Sequence, residues 1–210
     1  MKQTTNELIA SLESWQIEKI NEWLPKKALS NKGGIKKKDG QEFTSIEPWS
    51  VTDRLNGVFG INGWHTDCDI VSIQDGMVLV KLVFEVPAHG IHHTTFGGNN
   101  NRDLGDAAKG AETDALTKVA SWLGIGTGIW RGEYSHLTPQ REWDARTDEG
   151  KAKVAAARAF YEANPDAKAK AAKSKGRESY EQITDGEMLD IYTALVAADK
   201  IKPIKQIINF

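Results

Sequence analysis

A single cysteine, Cys68, in 210 residues has no partner for an intramolecular disulfide. A lone thiol fits a reducing cytoplasm, and the pattern of its surroundings reads as a small buried hydrophobe on a strand. No apolar run approaches the roughly 20 residues of a membrane-spanning helix, and no signal-peptide pattern is present. Nucleophile-elbow and metalloprotease motifs are missing, as is a carboxylate pair at catalytic spacing. Gly124-Ile125-Gly126-Thr127-Gly128 is the nearest approach to a phosphate loop. It follows a helical pattern instead of preceding one, and it lacks the Gly-Lys-Ser/Thr ending, so a helix C-cap is the better reading. His89, His92 and His93 invite a metal site with Asp67 or Asp69, but adjacent strand residues such as His92 and His93 face opposite ways. The expectation is a cytoplasmic protein that is not an enzyme and needs no cofactor or metal.

Net positive charge is lacking as well. The total is −2, but it is unevenly spread: +4 over residues 1–38, −9 over 39–149, +6 over 150–177 and −3 over 178–210. A polyanion approaching this chain would have to be met by particular lysines rather than by the average field.

What the chain does have is one organising stretch, Leu104 to Tyr134. At about 100° per residue, Ala108, Ala111, Ala115, Val119, Trp122 and Leu123 gather on one face of a helix. Lys109, Gly110, Thr113, Asp114, Thr117, Lys118 and Ser121 take the other. The upper half of the apolar face is built of small residues, which let a helix lie close to a sheet or a ligand. Gly124 is the expected C-cap. Glu112 falls within the apolar arc without an evident partner.

Before that helix, Thr4-Thr5-Asn6-Glu7 forms a capping-box pattern opening an amphipathic helix that Pro25 ends. Lys26, Lys27, Lys32, Lys36, Lys37 and Lys38 follow around Gly33-Gly34 with no acidic residue among them. Phe43 to Ile46 is a short strand, and Pro48 starts a helix with Val51, Leu55, Val58 and Phe59 as its buried stripe. A strand from Trp64 to Ile73, the hairpin signal Asp75-Gly76, and an alternating strand with Val78, Val80, Leu82, Phe84 and Val86 on one face come next. A third strand runs from Ile91 to Phe96, and Gly97 to Asn101 reads as a loop. The fold class is α+β: an antiparallel β-meander with a long helix across one face, an N-terminal helix and a C-terminal helical appendage.

Beyond Tyr134 the composition shifts to Ala and Lys. Residues 1–144 are expected to form the main domain, 145–180 an exposed helix and a frayed linker from Pro165 to Arg177, and 181–210 a small helical segment. Thr184 to Glu187 is a second capping box ahead of Met188, Ile191, Tyr192 and Leu195. The apolar tail of Ile201, Ile204, Ile207, Ile208 and Phe210 has a partner or that helix to dock on.

Two motifs carry a resemblance. Thr113-Asp114-Ala115-Leu116, a basic residue at Lys118, then Leu123-Gly124-Ile125-Gly126 resembles the long-helix motif of the single-strand annealing proteins of the Rad52 family and their Sak-type phage relatives. Val51, Leu55-Asn56 and Phe59-Gly60-Ile61-Asn62-Gly63-Trp64 resemble that family's entry into its first long strand. They stand in the family's order, and the likeness covers about Leu24 to Tyr134. It implies an oligomer, a ring or helical arc, holding single-stranded DNA in a groove floored by the long helix. It also implies an annealed duplex intermediate. Lys118 falls on a basic DNA-contacting position; Thr117 and Ser121 occupy two others and are neutral here. Lys36, Lys37 and Lys38 fall near a basic loop position, and Ser45 near an aromatic one for which Phe43 is the nearest substitute. The residues alone add Lys109 on the helix's polar arc and Arg131 after its turn as nucleic-acid-binding candidates, and Arg102 in the preceding loop is the candidate for a second, outer contact. Trp64 and Trp122 read as core, and Trp130, beside Gly128 and Arg131, is the one tryptophan for which a contact to DNA or a neighbouring subunit stands as the alternative. The expected function is ATP-independent binding and annealing of single-stranded DNA in a phage or bacterial recombination or repair pathway. The alternative is an oligomeric DNA-binding or end-protecting protein of the same fold that does not anneal. A single-strand-binding protein is the partner expected of the C-terminal segment.

Overall fold

The computed structural model describes residues 11–31 and 43–204. They belong to two compact units, residues 1–136 and 137–210. The first runs α1 (Ser14–Asn21), β1 (Leu29–Ser30), β2 (Ser45–Ile46), α2 (Pro48–Phe59), β3 (His65–Gln74), β4 (Met77–Val86), β5 (Ile91–Asn100), α3 (Leu104–Leu123) and α4 (Thr127–Trp130). The capping box at Thr4 to Glu7 lies outside the described residues.

Strands β3, β4 and β5 form an antiparallel meander in that spatial order. A two-residue turn joins β3 to β4, with φ of 51° at Asp75 and 79° at Gly76, as the Asp-Gly pair predicts. Strict alternation on β4 puts Val78, Val80, Leu82, Phe84 and Val86 in the core, each at most 1% exposed. Helix α3 packs across β5 and β4, burying Ala107, Ala111, Ala115, Val119 and Ala120. Asp103 caps its start, accepting the Asp106 N–H at 2.9 Å. Gly124, at φ +114°, ends it, and the Ile125 N–H reaches back to the Ala120 carbonyl, the six-to-one bond of a Schellman ending. Glu112 is exposed, so it needs no buried partner.

Four expectations are corrected here. The glycines and asparagines from Gly97 to Asn100 continue strand β5 rather than forming a loop. Glycine is needed because a Cβ at Gly97 would run into the Ala111 carbonyl and stand 2.6 Å from the Ala115 amide. Cys68 is exposed, because no residue of β3 is buried and α3 does not extend over that strand. Partial desolvation, then the charges of Glu112 and Asp69, push its thiol up from the ordinary range. Trp122 is 56% exposed rather than core, its ring edge-on to His93 at 5.7 Å. Trp64 is half-buried; it stacks on Phe84 at 5.8 Å and donates its indole N–H to Asn56.

On the face away from α3, Glu85 spans the sheet. Its carboxylate meets His92 Nδ1 at 2.6 Å and His65 Nε2 at 2.7 Å, residues that stand opposite it on β5 and β3. The hydrogen bond from His92, then that from His65, holds the Glu85 carboxyl below the usual carboxylate range. His92 and His93 do face opposite ways: His92 meets Glu85, and His93 meets Trp122.

Arg54 fastens α1 to α2. Its guanidinium is 7% exposed and donates to the carbonyls of Lys19, Ile20, Glu22 and Trp23 at the end of α1. These are carbonyls that a helix terminus leaves without partners. Burial lowers its pKa from the ordinary arginine value, and Glu22 opposes that shift.

The second unit contains α5 (Gln140–Asp144), α6 (Asp148–Ala163), α7 (Lys168–Ser174) and α8 (Asp185–Ala197). Its core joins Val154, Ala157, Tyr161, Ala171, Tyr180, Ile183, Met188 and Leu195, so residues 145–180 and 181–210 share one cluster. Helix α5 belongs with it: Glu142 accepts from the Thr184 hydroxyl at 2.8 Å and from the Gly186 N–H at 3.2 Å. The stretch from Pro165 to Arg177, read as a frayed linker, is a 3₁₀ turn followed by α7. Its alanines supply the reason, since Ala171 and Ala172 are buried. Helix α6 is likewise amphipathic rather than exposed all round, with Val154, Ala157 and Tyr161 inward. The Thr184 capping box forms as its sequence predicts, and Glu187 also takes a two-point ion pair from Arg177. The hydrogen bond from Arg177 holds the Glu187 carboxyl below the usual range. Ile201 and Ile204 fold back on this core; Ile207, Ile208 and Phe210 lie outside the described residues.

Candidate nucleic-acid interface

The C-terminal half of α3 has one free-standing row of polar groups. Lys118, its side chain 48% exposed, places Nζ 2.6 Å from Asp114 Oδ2 and donates to the Phe96 carbonyl at 3.1 Å. The same Asp114 oxygen accepts the Gly98 N–H at 3.1 Å. Phe96 and Gly98 are two residues apart on an outer strand, so those groups share its unpaired edge. Asp114 and Lys118 thus give that edge the acceptor and donor that another strand would supply. A phosphate reaching Lys118 has to displace a carboxylate, on a rim open to solvent. Thr117 and Ser121 bond back to the carbonyls of Thr113 and Lys118 within the helix.

Two further segments converge on this end of α3. The turn after Gly124 leads into α4, whose last residue, Trp130, is 54% exposed; Arg131 follows, paired to Glu133 at 3.6 Å. The second is the β1–β2 ribbon, with Leu29 opposite Ile46 and Ser30 opposite Ser45. It presses on the turn at Gly126, where a Cβ would stand 2.8 Å from Ile46 Cδ1 and 3.3 Å from Leu24 Cδ1. Behind it, Trp23 stacks on Tyr134 at 4.4 Å, and Thr44 Oγ1 lies 2.9 Å from His136 Nδ1.

The lysine-rich stretch is inserted between β1 and β2. Lys36, Lys37 and Lys38 lie outside the described residues, but the chain leaves at Asn31 and returns at Phe43, at the open end of the β1–β2 ribbon. Phe43 is 46% exposed at that return. Gly126 sets the ribbon against the turn that follows α3, whereas Lys118 and Trp122 meet β5 at Phe96 and His93. Arg102 and Lys109 lie toward the start of the helix. Lys109 lies nine residues before Lys118 in the sequence, roughly 13 Å along the axis, and Arg102 precedes the helix altogether, next to the acidic cap Asp103.

The sequence reading names Lys27 only within the lysine run and passes over Trp49, and the structure brings the two together. Lys27 Nζ lies 5.2 Å from the centroid of the Trp49 ring, which is 40% exposed. The signal that could have found them is phase: Trp49 falls off the stripe of Val51, Leu55 and Val58 that α2 buries.

Basic groups and open aromatic faces suit a polyanionic strand with unpaired bases. Among the described residues no group of three or more His, Cys, Asp and Glu side chains could hold a metal ion, and no helix is long and apolar enough to cross a membrane. The family model described as Rad52/22 family double-strand break repair protein matches residues 14–149, taking in both motifs and the ribbon. Comparison with curated proteins finds no match.

Proposed function

Because the chain belongs to the Rad52/22 family of double-strand break repair proteins, and so acts in DNA recombination and repair, we propose that it binds single-stranded DNA and anneals complementary strands without ATP. The observation that carries this is the family match over residues 14–149, supported by the exposed Trp122 and Trp130, by Lys118 on the C-terminal half of α3, and by the ribbon set against the turn after it. A strand held by its phosphates with bases accessible searches for its complement at a reduced entropic cost. The step needs no bond making, and no covalent chemistry is assigned to any side chain.

The annealing form is an oligomer, a ring or a helical arc. Support comes from β3, an outer strand with no buried residue, on which Ile70, Val71 and Ile73 are each more than half exposed. The second unit, with its own core, serves to recruit a partner, a single-strand-binding protein. The test is to mix two complementary labelled oligonucleotides with the protein in nucleotide-free buffer, and to sediment the same samples. Faster duplex formation by a species well above 23.2 kDa is expected, with the single-strand-binding protein retained by the full chain and lost on truncation after His136. Tight DNA binding with no gain in annealing rate would leave an end-protecting role instead, and a 23.2 kDa species with and without DNA would remove the ring.

A further inference from the structure

We propose that Trp49 is a stacking platform for one base of the bound single strand, with Lys27 as the adjoining phosphate contact. This rests on the reading of the chain as a single-strand binder and adds a site that reading does not use.

Backbone pairing creates the juxtaposition. The Glu47 N–H donates to the Ala28 carbonyl at 2.8 Å, and the ribbon pairs Leu29 with Ile46. Together these set the first turn of α2 beside the 3₁₀ turn Lys26–Ala28. Trp49 is the second residue of α2, one step before the buried Ser50 and Val51. It therefore stays at the surface while the stripe behind it fixes the helix. Lys27 stands over the ring within cation–π reach. Glu22, the nearest carboxylate to Lys27 in sequence, is paired with Lys19 and Arg54, and Glu47, two residues before Trp49, accepts from the Ser30 hydroxyl at 3.2 Å. Lys27 has no carboxylate partner among the described residues, unlike Lys118, Lys19 and Arg131.

An aromatic face open to solvent and an un-neutralised ammonium beside it make a composite surface. The ring offers any base a π-face, and the lysine offers the adjoining phosphate a charge; neither reads sequence. Phe43 is exposed where the lysine stretch returns to the same ribbon.

The experiment compares full-length wild type, Trp49→Ala, Trp49→Phe and Lys27→Ala on fluorescent oligothymidylate and on an abasic oligonucleotide of equal length, across a salt series. Trp49→Ala should weaken oligothymidylate binding about tenfold with an unchanged salt slope, since stacking releases no counterions. It should bind the abasic strand as wild type does, and Trp49→Phe should recover most of the loss. Lys27→Ala should instead lower the log–log salt slope by roughly 0.7. Wild-type affinity for Trp49→Ala, or equal losses on both strands, overturns the platform and leaves the single-strand reading standing. Failure of the wild type to bind either strand overturns both.

Discussion

Gly97→Ala is expected to destabilise the first unit by about 3 kcal/mol, whereas Gly98→Ala, one residue on, should change its stability by less than about 1 kcal/mol. The two glycines sit on opposite faces of β5. On the α3 side, a methyl at 97 meets backbone: the Ala111 carbonyl, the Ala115 amide, and Ala115 Cβ at 2.8 Å. No side chain can rotate out of the way, so the helix must lift off the sheet and open the contacts of Ala111 and Ala115. On the other face, a methyl at 98 stands 3.7 Å from Met77 Sδ and from the Val78 carbonyl, ordinary contact. Six of the seven tryptophans lie before residue 137, so denaturant unfolding followed by their fluorescence reports chiefly this unit. Equal effects of the two substitutions would mean that α3 is not held against β5 by the missing Cβ.

Arg54→Leu should cost about 3 kcal/mol and Arg54→Lys nearly as much. The first leaves the carbonyls of Lys19, Ile20, Glu22 and Trp23 without their donor. The second keeps the charge, but a single ammonium cannot spread over four acceptors as a planar guanidinium does. Loosening the end of α1 also disturbs Leu24, which is fully buried and whose N–H donates to the Tyr134 hydroxyl at 3.2 Å. The same fluorescence titration checks it; full stability of Arg54→Lys would show that charge rather than fork geometry closes the helix end.

These two residues also mark where sequence patterning reaches and where it stops. Period-2 alternation on β4, the Asp75-Gly76 turn, the Gly124 cap and the Thr184 box are local rules, and each is realised in the structure. Gly97 was misread because composition assigns glycine and asparagine to loops, while the reason for glycine there is a helix arriving from further along the chain. Cys68 and Trp122 were misread for the converse reason: an apolar pattern says that a face is available, not that another element covers it. Arg54 is invisible to patterning, since its acceptors are backbone carbonyls more than thirty positions away in sequence. Lys118 is a candidate that its motif alone names. The meeting of Lys27 with Trp49 was not legible in the sequence, because it depends on the pairing of two strands of two residues each.

The central claim is that single-stranded DNA follows the C-terminal end of α3 and the ribbon that carries the lysine stretch, in a chain whose residues 39–149 are net negative. The most direct test is a salt-series titration of fluorescent single-stranded oligonucleotides with wild type, Lys118→Ala and a triple alanine variant at Lys36, Lys37 and Lys38, with assembly monitored in parallel. Each lost phosphate contact should lower the log–log salt slope by roughly 0.7, independent of base sequence. Lys118→Ala is thus expected to lose about one such step, and the triple variant up to three, with fold and assembly intact. Unchanged affinity and slope in both variants would contradict the account and move the binding site to the basic residues between 150 and 177.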